Sequence, residues 1–352
     1  MDPWPGRCSA VSRQGFDPTR VPPPRRDRPV IPQILSSDTE QLAKGFTEIK
    51  VLGLGGAGNN TLDRMIEAGV QGIDFIAVNT DTQALERTLA RKQVQLGQGL
   101  THGRGTGGDC KLGERAAEAA RNALGEALSG ADMVFITAGL GGGTGTGTAP
   151  LVAGLAQEIG ALTVAVVTMP FTFEGTRRHA TAVEGLERLR GLVDSIIVIS
   201  NDRLLQAAPV NTGINEAFRR ADETLNQGIR GIADLILTPG LINLDYADVR
   251  SVMHRAGPAL MAMGRASGEG RARRAAELAM GNPLADSSIH GARAVLLNIT
   301  GGPDLTLFEV NEAANDVAAQ VGPNCNIIFG AVVHPRIGDE VRITVIATGF
   351  KD

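Results

Sequence analysis

The sequence is poor in several residue types, and each shortage limits what the chain can be. Three cysteines, widely spaced among 352 residues, argue against a disulfide scaffold and against a CxxC metal knuckle. No uninterrupted apolar stretch reaches the roughly 18 residues of a membrane-spanning helix. The 34 Lys and Arg residues face 38 Asp and Glu, and this net charge of -4 argues against binding to nucleic acid or acidic membrane through bulk charge. We therefore expect a cytoplasmic protein with no transmembrane segment and no nucleic-acid partner.

Aromatic residues are also scarce, whereas glycine is abundant. Aromatics make up 3% of the chain, so the core must be mainly aliphatic. Glycine supplies 45 of 352 residues, about 13%, against a usual share of roughly 7%. Because glycine has no side chain, backbone N–H groups beside it can approach a ligand closely. This composition indicates backbone that packs against a ligand.

The first 46 residues differ in composition from the rest of the chain. Eight of the 17 prolines and six arginines fall within residues 1–32, where neither helical nor strand periodicity is found. Such a segment cannot form a packed core, so we predict a disordered, Pro- and Arg-rich arm over residues 1–46. It has no apolar region long enough for a signal peptide, and we expect a solvated tail.

From residue 47 onward, short apolar runs alternate with amphipathic stretches. Buried strands that alternate with helices predict a parallel sheet covered on both faces, here a Rossmann-like domain over residues 47–213. In such folds ligands bind beyond the carboxyl ends of the strands, where the glycine clusters of this sequence fall. The predicted strands are residues 49–52, 75–78, 133–136, 163–167 and 196–199, and the predicted helices include residues 111–128, 148–159 and 176–192.

Beyond this domain the periodicity changes twice. Apolar residues recur every three or four positions over residues 214–238, which predicts one central connecting helix of about six turns. Residues 239–350 then contain alternating runs at 294–299, 326–333 and 340–347 together with two helical stretches. We therefore predict an α/β protein with a Rossmann-like domain, a long central helix and a second, mixed α+β domain.

The first glycine-rich loop follows the first predicted strand. Gly53, Gly55 and Gly58 fit the GxGxxG pattern between a strand and a helix. Glycines there allow a tight turn and direct backbone N–H groups, with the helix N-terminus, at phosphate oxygens. The pattern does not distinguish a nicotinamide enzyme from a nucleoside-triphosphate binder, and a tight strand–helix turn without a ligand is a further alternative.

The second glycine-rich loop separates these alternatives. Residues 139–147 follow the strand at 133–136 and contain six glycines and two threonines, a nest of N–H donors at a helix start. A triphosphate needs two such anion cradles on neighbouring strands, whereas a dinucleotide does not. Neither loop contains a lysine, so the GxxxxGK[ST] loop is excluded. We expect charge neutralisation by backbone dipoles and a hydrated Mg²⁺, with no metal ion held by a cluster of side chains.

The run from Gly141 to Gly147 resembles the signature of the tubulin superfamily, and the chain from about residue 49 to 350 resembles the FtsZ family of cell-division GTPases. The resemblance implies binding of GTP and GDP, with Mg²⁺ held mainly through phosphates and water, and assistance by K⁺. It also implies four loops around the phosphates. Their residues are Gly55, Gly56, Ala57, Asn59, Asn60, Asn79, Thr106, Gly107, Gly108, Gly141, Gly142, Gly143, Thr144, Gly145, Thr146 and Gly147.

The same resemblance implies a ribose and base site. Glu174 and Arg178 match the ribose-binding stretch, and Asn201 matches the base-binding turn. Asp222 fits the position that pairs with the guanine N1–H and 2-amino groups, and Phe218 is placed to stack on the ring. The residues alone leave other readings open, because Asp222 could be a surface acid of the helix and Glu174 with Arg178 only a helical ion pair.

A last motif, Asn243, Asp245 and Asp248, follows the long helix. Two acids three residues apart near a helix start would by themselves indicate an N-cap, but the resemblance implies the catalytic loop of the family. Roughly six helical turns of 5.4 Å separate this loop from the base-binding end, about 30 Å. We therefore expect these residues to act on the nucleotide of a neighbouring subunit in a head-to-tail filament.

Two departures from the family pattern carry expectations of their own. Asp109 and Cys110 stand where the family has Asn-Pro, and a carboxylate near the γ-phosphate is expected to weaken triphosphate binding or slow loop closure. Ser200 replaces a proline, which we expect to be harmless. The linker and tail that dock membrane anchors in the family are absent after residue 350, so either the sequence is trimmed or anchoring uses another segment, for example the arm.

The function expected from the resemblance is an assembly-dependent GTPase that forms the division ring at midcell. Its partners would be further copies of itself, membrane-anchor proteins and other division proteins. One alternative is a tubulin-like filament for cell shape or plasmid partition. Another is an NAD-dependent oxidoreductase, which rests on GxGxxG alone and leaves the second glycine loop unexplained.

Overall fold

The computed structural model describes residues 47–206, 208–209, 211–237, 240, 242, 244–281, 289–334 and 337–350. The predicted arm over residues 1–46 lies outside this part of the chain. Within it, no helix is both long enough and apolar enough to span a bilayer.

Ten strands form one mostly parallel sheet in the order β3-β2-β1-β4-β5-β6-β7-β10-β8-β9. The six strands from β3 to β6 in this spatial order all pair in parallel with their neighbours. β7 pairs in parallel with β6 through three residue pairs. β10 is antiparallel to both β7 and β8, and β9 is parallel to β8. The strands β1 to β10 are Ile49–Leu54, Ile73–Asn79, Lys92–Gln95, Met133–Gly139, Leu162–Met169, Ser195–Ser200, Gly257–Ser267, Ala294–Gly301, Asn326–Val333 and Glu340–Thr348.

Twelve α-helices connect these strands in the described part of the chain. The longest, α9, has 24 residues and starts and ends within two residues of its prediction. In chain order α1 to α12 are Gly55–Glu67, Thr82–Arg87, Gln98–Thr101, Cys110–Ala119, Arg121–Leu128, Gly143–Glu158, Thr176–Arg190, Asn201–Gln206, Ile214–Leu237, Tyr246–Met253, Arg271–Met280 and Leu307–Val321.

The core explains why the central strands are continuous apolar runs. β1, β4 and β5 are buried along almost their whole length, because α1, α9 and α10 cover one face of the sheet and α4 to α7 cover the other. A third apolar cluster joins α11 and α12 to β7, β8 and β10. The fold is thus the expected α/β fold with a long central helix, and a single sheet continues into the mixed C-terminal part.

Four elements differ from the sequence-based prediction. Residues 111–128 form two helices, because the backbone at Ala120 leaves helical geometry. Arg121, the first residue of the second helix, pairs with Glu158 on α6 at 2.8 Å. The helix after the second glycine loop begins at Gly143, five residues earlier than predicted, so most of that loop is the first turn of α6. The strands β3 and β7 were not predicted from periodicity.

Candidate functional site

Two glycine-rich helix starts meet at the carboxyl ends of the paired strands β1 and β4. Gly55 opens α1 with a φ of +69°, and a Cβ built there would lie 3.1 Å from the backbone nitrogen of Gly145 near the start of α6. A Cβ at Gly56 or Gly142 would meet no atom within 4 Å, so both glycines face open space. The N–H groups of both helix starts can therefore bind one anionic ligand.

Threonine and asparagine side chains link the loops of this cradle. Thr144 Oγ1 lies 2.6 Å from Thr80 Oγ1 in the loop after β2. Thr146 Oγ1 accepts a hydrogen bond from Gly141 N at 2.9 Å. Asn79 Oδ1 accepts from Thr80 N at 2.9 Å. The predicted phosphate-binding residues that follow β1, β2 and β4 thus come together at one edge of the sheet.

The first loop contributes its other predicted residues at α1. Asn59 is buried, and one orientation of its side-chain amide gives hydrogen-bond partners to both the nitrogen and the oxygen. In that orientation it donates to Gly53 O at 2.7 Å and accepts from Asn79 Nδ2 at 3.2 Å. Ala57 packs against the end of β4, whereas Asn60 is exposed. Asn59 therefore shapes the loop, and Asn60 is free to contact a ligand.

The loop predicted to sense the γ-phosphate lies beside the second glycine loop. The Thr106 hydroxyl packs directly on Gly143, where a Cβ would also lie 2.7 Å from Asp109 O. Gly107 and Gly108 have φ values of +60° and +83° and face open space. A ligand held by α6 would therefore meet this loop.

Asp109, one of the departures from the family pattern, caps a helix. Its Oδ1 accepts from Lys111 N at 2.9 Å and from Leu112 N at 3.2 Å at the start of α4. Negative charge is favourable at that position. The carboxylate is thus engaged by α4 in this structure, and its effect on triphosphate affinity stays a prediction.

The predicted ribose-binding residues form an ion pair beside the cradle. Glu174 and Arg178 are joined at 3.0 Å between Oε2 and Nε. Glu174 Oε1 also accepts from Phe171 N at 2.9 Å. A Cβ at Gly141 would lie 2.8 Å from Arg178 Cγ, so Arg178 lies over the second glycine loop. Glu174 and Arg178 therefore form the ion pair that their spacing allows, and they also lie next to the cradle.

An aromatic cluster lies next to this pair. Phe171 stacks on Phe173 with ring centroids 4.9 Å apart and meets Phe218 edge-on at 5.2 Å. Phe173 and Phe218 are exposed over 60% and 39% of their surface. Asp202 on α8 accepts from Thr172 N and Oγ1 at 2.9 and 2.6 Å. The ribose stretch, α8 and the start of α9 thus meet around exposed rings on which a planar base can stack.

The two predicted base-binding residues are buried, although both are polar. Asn201 is 5% exposed, and its Oδ1 has no hydrogen-bond partner within the described chain. Asp222 is 8% exposed and lies 3.4 Å from Arg64 Nε on α1. Burial raises the pKa of the Asp222 carboxyl to about 6, and the Arg64 charge opposes this rise. Asp222 is therefore not a surface acid of the helix.

Arg64 is a residue that the sequence did not single out. It lies in the third turn of α1, 158 positions before Asp222. Its spacing on α1 fits an ordinary basic residue in the last turns of a helix, so no local pattern could have related it to the base-binding site.

The candidate catalytic acids lie far from this site. Asp245 and Asp248 stand at the start of α10, where Asp248 Oδ2 accepts from Asp245 N at 3.3 Å; Asn243 lies outside the described residues. Tyr246 donates to the carbonyl of Asp132 at 2.7 Å. Asp132 directly precedes β4, whose opposite end leads into the second glycine loop. The structure therefore does not bring these acids to the phosphate cradle of their own chain.

Comparison with known proteins gives the class and then the family. A model of the tubulin/FtsZ family GTPase domain matches residues 48–209, which agrees with the parallel sheet and the double glycine cradle and makes this a tubulin-like GTPase. A model of the FtsZ family C-terminal domain matches residues 257–351. An empty FtsZ dimer from M. jannaschii is similar at 44% identity over 89% of this chain and 92% of that chain, with a TM-score of 0.84. The chain belongs to the FtsZ family.

Two further structures agree with this assignment. A mutant of M. jannaschii FtsZ has 44% identity over 89% of this chain and 94% of that one, with a TM-score of 0.86. CetZ1 from Haloferax volcanii, a GDP-bound monomer, is 20% identical over 87% and 95% of the two chains with a TM-score of 0.75, a likeness in fold alone. Family membership implies guanine-nucleotide binding, GTP hydrolysis and a relation to cell division.

Proposed function

We propose that this chain binds GTP in the double cradle and hydrolyses it only when a second copy stacks on the nucleotide end, in head-to-tail filaments that form a division ring. The observation that carries the proposal is the placement of the candidate catalytic acids. They lie at the amino end of β4, whereas the cradle lies at its carboxyl end.

The distance follows from the geometry of the strand. β4 has seven residues, which at about 3.3 Å per residue span about 23 Å. Hydrogen-bond reach for water activation is about 3 Å, so Asp245 and Asp248 cannot act on the nucleotide of their own chain. A repeated contact between opposite ends supplies both halves of the site and, because it does not close, generates a filament.

Guanine recognition is supported by the buried polar groups at the other end of the cradle. Guanine presents two adjacent donors, N1–H and the 2-amino group, which match a carboxylate such as Asp222. The unpartnered Asn201 Oδ1 is the kind of buried acceptor that costs free energy unless a ligand satisfies it. Phe218 supplies an exposed ring for stacking.

The catalytic contribution of the chain is positioning. The N–H groups at the starts of α1 and α6, with Thr106, Gly107 and Gly108, would hold the triphosphate in one orientation, while Glu174 and Arg178 contact the ribose. Asn243, Asp245 and Asp248 of the stacked copy would orient the attacking water in line. Bound Mg²⁺, held through phosphates and water, and K⁺ would supply neutralisation of the phosphate charge.

The partners follow from the family. The M. jannaschii relative is described as a dimer, which supports self-association of this chain. The other proposed partners are membrane-anchor proteins and further division proteins at midcell. The match to the FtsZ C-terminal domain and the 44% identity favour division over a cell-shape or plasmid-partition filament, and membership of a GTPase family speaks against an NAD-dependent oxidoreductase.

Dilution tests the proposal. We expect sedimentable polymer with GTP and little with GDP, and phosphate release per molecule that approaches zero below a threshold protein concentration and rises above it. Asp248→Ala should keep GTP binding and lose turnover. A specific activity that stays constant on dilution would contradict a shared site.

A further inference from the structure

The contact between Arg64 and Asp222 joins the phosphate-binding helix to the base-binding helix. Arg64 is in α1, whose start forms half of the cradle, and Asp222 is in α9. Their Nε and Oδ2 atoms are 3.4 Å apart, with side-chain exposures of 33% and 11%. Within the described chain, this is the one hydrogen bond to the Asp222 carboxylate.

The protonation state of Asp222 determines what it can recognise. An ionised carboxylate has about four lone-pair sites and only accepts, whereas a protonated carboxyl presents an O–H donor. Arg64 uses one site on Oδ2, so sites on both oxygens stay available for the two guanine donors. An O–H facing those donors would instead be repulsive. Guanine recognition therefore requires the charged form.

The surroundings of Asp222 work against that form. Burial raises its pKa to about 6, and the charge and hydrogen bond of Arg64 are what lower it. The packed strands β5, β6, β8 and β9 carry no charged residue. On α8, Asp202 is bonded to Thr172 and Arg203 carries the one positive charge. The charged neighbours on α9 pair among themselves, namely Glu216, Arg219, Arg220 and Glu223.

We propose that Arg64 is a specificity-determining positioning residue, which holds the buried Asp222 carboxylate in its charged form and in one orientation so that it accepts both donors of the guanine ring. The inference rests on the proposed guanine site and extends it to a residue on the phosphate-binding helix. Arg64 itself does not touch the nucleotide in this role.

The test measures the dissociation constants of GDP, inosine diphosphate and ADP between pH 5.5 and 8.5. In the wild type, GDP affinity should fall about tenfold per pH unit below the Asp222 pKa of about 6. In Arg64→Met the midpoint of this fall should move upward by about one to two pH units. Inosine lacks the 2-amino group. In Arg64→Met the preference for GDP over inosine diphosphate should therefore be smaller than in the wild type.

Two further variants separate charge from packing. Arg64→Lys restores the positive charge and should return the midpoint towards that of the wild type. If Arg64 acted only through packing, Arg64→Met would keep the wild-type midpoint and Arg64→Lys would not. Arg230→Met is the matched control, because Arg230 pairs with half-buried Asp234 on the same helix at 3.2 Å. Asp234 lies 12 residues, about 18 Å, beyond Asp222, so GDP affinity and its midpoint should not change.

The outcomes distinguish the inference from the function on which it rests. If Arg64→Met binds GDP with the wild-type midpoint while Asp222→Asn loses GDP, the role of Arg64 is overturned and the guanine site stands. If the wild type binds ADP as tightly as GDP, the proposed function itself fails. Should Arg64→Met not fold, Arg64→Gln enters the same comparison, with Arg64→Lys as its charged partner.

Discussion

At the scale of single residues, the proposed guanine site places a carboxylate where it destabilises the fold. Asp222 is 8% exposed, and its pKa is raised from 3.8 to about 6, first by burial, with Arg64 as the opposing influence. The folded state therefore binds the proton more tightly than the unfolded state. Between about pH 4 and pH 6, stability falls as the pH rises, and the full cost is present at pH 7.

Asp222→Asn should therefore stabilise the nucleotide-free protein while it abolishes guanine recognition. The amide is neutral and of similar size, so we expect the free energy of unfolding at pH 7 to rise by roughly 3 kcal/mol, with little difference from the wild type near pH 4. Denaturant unfolding at the two pH values measures this. Glu223→Gln, at a half-exposed position on the same helix, is the control, with a change below about 0.5 kcal/mol. A variant that is less stable at pH 7 would contradict the cost of this charge.

Little of this chemistry could be predicted from the residues alone. The family pattern indicated Asp222 and Asn201, but local sequence was equally consistent with a surface acid. Whether a carboxylate is buried, and which cation faces it, depends on how α1 packs on α9. The partners of the pair are 158 positions apart, and no periodicity relates them.

At the scale of elements, the two glycines that open α6 have different surroundings. At Gly143 a Cβ would lie 2.7 Å from Asp109 O and 2.8 Å from Asp109 N, so the loop of residues 105–109 packs on the helix backbone. At Gly142, with a φ of -84°, a Cβ would meet nothing within 4 Å. One position serves packing, and the other borders the space proposed for the phosphates.

The two alanine variants should separate these roles. We expect Gly143→Ala to lose about 1–3 kcal/mol of stability, because backbone atoms must move. Gly142→Ala should unfold like the wild type and lose GTP affinity, because its methyl group enters the cradle. Thermal unfolding without nucleotide and GTP titration on the same samples measure both. Equal stabilities, or an unchanged GTP affinity in Gly142→Ala, would contradict this division.

Elements were predictable where one physical cause dominated. β1, β4 and β5 are buried on both faces, so their sequences are continuous apolar runs. The apolar periodicity of α9 is strong enough to predict where this helix begins and ends. β3, with the sequence KQVQ at the sheet edge, has no such pattern. The break at Ala120 has no signal in the apolar pattern either.

At the scale of the whole molecule, the two functional ends are held apart by rigid elements. β4 separates the cradle from Tyr246 by about 23 Å, and α9, with 24 residues, extends about 36 Å. β4 is buried in the core and the apolar face of α9 packs on that core, so no loop movement could bring Asp248 to the nucleotide of its own chain. Under the proposed function, turnover and assembly would therefore be a single event.

Mixing two inactive variants tests this separation most directly. Asp248→Ala should bind GTP but lack the water-orienting acid, and Asp222→Asn should keep that acid but not bind GTP. Each alone should release almost no phosphate. Equimolar mixtures should regain turnover, with a rate that rises with total protein concentration, because Asp222→Asn subunits supply Asp248 to GTP held by their neighbours. Mixtures as inactive as the separate variants, at concentrations where wild-type filaments sediment, would contradict a site built from two chains.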